Sequence, residues 1–85
     1  MPELSRFFGI VIGMYYREHG EPHFHASYVD YAASIEVESL RIHGELPPRV
    51  QRMVLEWARL HKAELMENWL RVRARLPILP IPPLE

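Results

Sequence analysis

The sequence predicts an α+β protein: an antiparallel sheet of three to four strands packed on one long C-terminal helix, with an extended Pro-rich tail. Three observations predict it. Short runs rich in β-branched and aromatic residues fill residues 7–43. An apolar stripe at three- and four-residue spacing then runs through residues 48–73. Finally, residues 76–85 alternate proline with aliphatic side chains, which excludes helix and favours extended backbone. At 85 residues, the chain is expected to be a single domain spanning 1–85.

The elements follow in order. Phe7–Tyr16 reads as a first strand, with Gly9 and Gly13 marking a bulge or a close backbone approach. Arg17–Pro22 is polar, contains Gly20 and Pro22, and reads as a turn. His23–Tyr28 is a second strand. Side chains alternate along a strand, so Phe24, Ala26 and Tyr28 share one face and His23, His25 and Ser27 the other. Val29-Asp30 closes a hairpin to a third strand, Tyr31–Val37, with Tyr31, Ala33, Ile35 and Val37 inward. Leu40–His43 is a short fourth strand ended by Gly44. Pro47-Pro48 opens the helix, because proline suits the first turn, where its missing N–H is not needed. The helical stripe is Val50, Met53, Val54, Trp57, Leu60, His61, Leu65, Trp69 and Val72. The tail is too apolar to float in water and is expected to pack on the body.

Composition bounds the function. The chain is 48% hydrophobic and 25% charged, which is globular rather than disordered. It has no cysteine, so a disulfide framework, a thiol nucleophile and a thiolate zinc site are excluded. No secretory pattern opens the chain, no lipidation motif is present, and Phe7–Tyr16 is too short to span a bilayer. A cytoplasmic protein without membrane attachment is the expectation. Residues 1–40 carry a balance of −4, and residues 41–75 a balance of +4. Ile10, Val11, Ile12 and Met14 read as making the first strand apolar on both faces. A strand of that kind is normally covered on both sides. The second face is therefore expected to meet the tail, a second copy in a dimer, or a small partner protein.

Five histidines offer chemistry. In Pro22-His23-Phe24-His25 two imidazoles two residues apart point the same way along a strand, close enough to share one divalent transition-metal ion. A third ligand is needed, and His19 and His61 are the candidates. His23, His25 and His61 are equally candidates for general acid–base catalysis, since an ordinary imidazole titrates near 6.5. Trp57, His61, Glu64 and Asn68 form one helical stripe; with Tyr15 and Tyr16 they are a candidate interaction surface. Serines lack a nucleophile-elbow context, and no phosphate loop or dinucleotide fingerprint marks a cofactor site. Tyr15, Tyr16 and Arg17 could stack bases, but a net charge of −1 does not favour general nucleic-acid affinity.

Four ordered motifs resemble one bacterial family. They are the opening residues 1–10 (MPELSRFFGI), Met14-Tyr15-Tyr16, residues 22–26 (PHFHA), and residues 56–65 with Asn68-Trp69. The family is that of domain of unknown function 4160. Its closing pattern resembles Ile81-Pro82-Pro83-Leu84, whereas Leu76-Pro77-Ile78-Leu79 replaces the basic residues usual there. The resemblance implies a gene pair of toxin–antitoxin type, shared with a second small family, domain of unknown function 2442. Two functions are therefore expected. One is an interaction or regulatory component acting through protein–protein contacts. The alternative is a small metal- or histidine-dependent enzyme, a nuclease-type toxin, using His23 and His25.

Overall fold

A computed structural model describes residues 2–85, so Met1 of the opening motif lies outside the described residues. Five strands form one antiparallel meander in the order β1-β2-β3-β4-β5. They are β1 Glu3–Phe7, β2 Ile10–Gly13, β3 His23–Tyr28, β4 Tyr31–Glu36 and β5 Ile42–Glu45. Two helices follow, α1 Pro48–Leu60 and α2 Lys62–Arg73. The α+β class stands, but the sheet has five strands rather than three or four, and the helix is divided.

The extra strand comes from the opening segment. Phe8 and Gly9 both take positive φ, 50° and 81°, and turn the chain back on itself. Phe7 consequently pairs with Ile10, and Arg6 with Val11. The expected strand Phe7–Tyr16 is therefore two strands, with Phe7 ending one and Ile10 starting the next. The fourth expected strand shifts as well. Gly44 does not end it but lies inside β5, opposite Ala33. A Cβ on Gly44 would come 2.7 Å from the Ala32 carbonyl oxygen and 2.8 Å from Ala33 Cα. Only glycine lets the two backbones approach so closely.

The helical stripe breaks at His61, whose φ of −118° and ψ of 27° leave the helical region. Neither proline nor glycine causes the bend. The hydrogen bonds His61 N–H to Trp57 and Leu65 N–H to His61 continue across it, at 3.0 and 2.9 Å. Val50, Val54, Trp57, Leu65, Trp69 and Val72 are buried as expected, whereas Leu60 is 69% exposed. Ala58 and Asn68 take buried positions beside them.

The core lies between the helices and one sheet face. Trp57 packs on Phe24 and Phe7, with ring centroids 5.9 and 5.5 Å apart. Ile10, Ile12, Met14, Ala33, Ile35 and Val37 surround them. Ile10, Ile12 and Met14 all point to this side, since their spacing is two. Only Val11 faces outward. The expectation of a strand apolar on both faces is thus narrowed to one outward apolar side chain, Val11. The outer face is small and polar instead: Ser27, Ala32 and Glu45 continue the row from Val11, and His25, Ser34 and His43 that from Gly13.

The tail does pack, on the helices and the edge strand β1. Ile81 is buried and its N–H bonds the Leu4 carbonyl at 2.9 Å. Trp57 Nε1–H donates to the Pro82 carbonyl at 2.9 Å. Asn68, 1% exposed, donates to the Leu79 carbonyl at 2.9 Å and accepts from the Leu79 N–H at 2.7 Å. Two members of the expected interaction stripe therefore hold the chain's own tail.

Two substitutions test this packing. Gly44→Ala forces backbone apart and is expected to cost about 2 kcal/mol in urea unfolding. Asn68→Ala leaves the Leu79 groups unpartnered and should cost a similar amount, about 2 kcal/mol. In the second variant Trp57 fluorescence should also shift red as the tail loosens. Wild-type midpoints in both would contradict the packing described.

Candidate functional site

The segment between β2 and β3 carries the site. Gly20 takes a φ of 87° and helps return the chain toward the sheet, so that Glu18 meets the start of β3. Strand alternation then sends Phe24 into the core and leaves His23 and His25 on the other side. Both imidazoles meet the Glu18 carboxylate. Glu18 Oε1 lies 2.7 Å from His25 Nε2, and Oε2 lies 3.1 Å from His23 Nε2. The two rings sit edge to face, 5.3 Å apart, and all three side chains are half-buried.

The pattern of acceptors around His23 is informative. Its Nδ1 lies 2.8 Å from the Glu21 carbonyl oxygen. A neutral imidazole has one N–H. If Nδ1–H donates to Glu21, Nε2 turns a lone pair toward the Glu18 carboxylate. A proton or a metal cation between them removes that repulsion. Donation of the distal N–H to a main-chain carbonyl is also what fixes the tautomer of metal-binding histidines. One ligand atom each from Glu18, His23 and His25 falls within 4.8 Å of the others.

Burial pushes the Glu18 carboxyl up, but the hydrogen bond from His25 and the charges of His23 and His25 outweigh it. Glu18 is held below the usual carboxylate range. A second histidine–carboxylate pair lies on the same sheet face. His43 Nε2 meets Glu36 Oε2 at 2.7 Å, and the Ser39 hydroxyl donates to Oε1 at 2.9 Å. Those two bonds, that of His43 first, hold Glu36 low.

The third position beside His23 and His25 is thus Glu18, not His19 or His61. His19 lines a neighbouring groove with Tyr16, Arg17, Glu18, Arg73 and Arg75. His61 is bonded to Glu64 through Nδ1 and lies 5.4 Å from Trp57, on the helical layer. A strand's inner and outer faces separate it from the site. Tyr15 sets its ring edge-on to His25 at 4.7 Å and is 45% exposed. His23 is not wholly turned from the helices. It begins its strand, where Trp69 of α2 reaches round to 5.1 Å. Glu18 carried little signal in the sequence, since acids are ordinary in turns. The pattern Glu18-x4-His23-x-His25, with Gly20 and Pro22 reversing the chain between, is the trace it left.

The family model for a domain of unknown function, DUF4160, matches residues 9–70, well over half of the chain. The chain belongs to the DUF4160 family. Comparison with curated proteins and with solved structures returns no match. The DUF4160 segment contains Glu18, His23, His25, His61 and Asn68, whereas Arg73, Arg75 and the tail lie beyond it. Among the described residues, no helix of this DUF4160 protein is long and apolar enough to cross a membrane.

The low Glu36 carboxyl has a pH consequence. Folding favours its charged form, so its contribution is complete above the unfolded carboxylate range and is lost as pH falls through the folded value. His43→Ala should therefore lower the urea midpoint at pH 6. The gap to wild type should close as the pH is taken toward 2. A constant gap across that titration would contradict the pairing.

Proposed function

We propose that this protein is a small metal-dependent hydrolase in which Glu18, His23 and His25 hold one divalent transition-metal ion. The observation that carries the reading is the convergence of three ligand atoms within 4.8 Å, with His23 backed by the Glu21 carbonyl. Two imidazoles and one carboxylate suit zinc in a site that keeps its fourth position open for water. An ion held there by Glu18, His23 and His25 would supply Lewis-acid activation of water near neutral pH. The open outer sheet face leaves room above it: Tyr15, His25, Ser27, Ala32 and Ser34 line a shallow groove of about 380 Å³. In a toxin–antitoxin-like gene pair this reading makes the chain the nuclease-type member. A cytoplasmic setting accords with a chain free of cysteine.

A second reading, regulation through protein–protein contacts, is favoured by another surface. Leu70 and Leu76 are 64% and 48% exposed, and with Met66 and Ala74 they line an apolar strip beside the tail. A second copy or a small partner protein would bury it.

The experiment is metal titration of untagged, chelator-stripped protein with Zn²⁺ and Co²⁺. Wild type should take up one equivalent. At a hundredfold excess over its dissociation constant, the ion should add about 2.7 kcal/mol of stability. Glu18→Gln, His23→Ala and His25→Ala should each weaken binding by more than about tenfold. His61→Ala should bind as wild type. Absence of uptake by wild type, or equal loss in His61→Ala, would defeat the metal reading and leave the contact reading.

A further inference from the structure

Beside the histidine cluster lies a cationic groove of about 420 Å³, lined by Tyr16, Arg17, Glu18, His19, Arg73 and Arg75. Glu18 belongs to both. Its carboxylate is taken up by His23 and His25, and none of Arg17, Arg73 and Arg75 forms an ion pair among the described residues. Three exposed arginines without a carboxylate partner among the described residues border one hollow next to Glu18, His23 and His25. Arginines bordering one hollow give it a positive potential that attracts an anion.

The backbone supplies an independent observation. α2 ends in a double hydrogen-bonded turn: Arg75 N–H bonds the Val72 carbonyl at 3.2 Å and Leu76 N–H bonds the Arg71 carbonyl at 2.8 Å. The residue that closes such a turn is left-handed and is usually glycine. Here it is Arg75, at a φ of 60°. An arginine there is strained relative to glycine. Helix-dipole complementation does not account for it, since Arg71 and Arg73 already occupy the last turn. This left-handed residue is also one of those that line the groove. Arg73 is fixed from the other side, its Cζ 5.9 Å over the Trp69 ring, and Trp69 lies 5.1 Å from His23. Trp69 thus stands between His23 and Arg73.

We infer that the groove of Arg17, His19, Arg73 and Arg75 binds a phosphate group of the substrate, set next to the Glu18–His23–His25 position. Planar guanidiniums match phosphate oxygens in pairs. Tyr16, 40% exposed, borders the groove and offers a face for a nucleoside base. The inference deepens the hydrolase reading by naming its substrate class, and it is tested without metal so that the two can fail separately.

The test is binding to chelator-treated protein at low salt, by calorimetry with inorganic phosphate and by fluorescence anisotropy with a labelled ten-nucleotide oligothymidylate. Wild type should bind at least one of them. Tighter binding of the oligonucleotide, falling steeply with salt, names a phosphodiester strand as the source. Equal or preferential binding of inorganic phosphate names a free phosphate or monoester. The decisive variant is Arg75→Gly. It should melt no lower than wild type, because the strain is gone, while anion affinity falls at least fivefold and Zn²⁺ uptake stays unchanged. Arg17→Ala should lose affinity similarly without altering the helix end. No binding by wild type, or wild-type affinity in both variants, overturns the inference.

Discussion

The alternation of side chains along β3 is the constraint on which the rest depends. Phe24 must point at Trp57 for the core to close, and that forces its two neighbours to the opposite side. A one-residue slip would bury two imidazoles and expose a phenylalanine. The register is pinned from both flanks, by Ile12 beside Ala26 and by Ile35 beside Phe24. Core packing and site geometry are therefore one fact about this strand. The apolar side supplies the energy, and the polar side inherits a rigid pair of rings.

Glu18 differs from its partners in being carried by a connecting segment. The histidines are held by ladder bonds, whereas the carboxylate is held mainly by its contacts with them. A cluster with two side chains on a strand and one on a loop can rearrange without disturbing the sheet. The strand-borne pair of Glu36 and His43 shows the same carboxylate–imidazole contact with a single histidine.

Much of the fold was legible. The strand β3, its hairpin to β4, the Pro47-Pro48 helix start and the docked tail all follow from local pattern. The opening hairpin was not, because Phe8-Gly9 lacks the usual polar turn residues and its flanks read as one continuous apolar run. The bend at His61 leaves no proline or glycine to announce it. Leu60 fits the helical spacing but falls where the bend turns it to solvent. In the site, His23 and His25 were legible because two-residue spacing fixes their side of a strand. Glu18 was not, because a turn's course in space is set by what it packs against. Arg75 was hidden for the same reason: a left-handed position announces itself only when glycine fills it. Ile10, Val11, Ile12 and Met14 read as two-sided because Val11 does face outward, but its neighbours on that face, Ser27 and Ala32, are small or polar.

The two tryptophans stand at different stations of the molecule. Trp57 is sealed under the tail, with its indole N–H bonded to Pro82. Trp69 sits between an imidazole and a guanidinium. Their emission is therefore separable by replacing one with phenylalanine at a time. Light from the first indole tells whether the C-terminal strap is seated. That from the second reports on the surroundings of His23 and Arg73, so a chain of 85 residues carries two separate optical reporters.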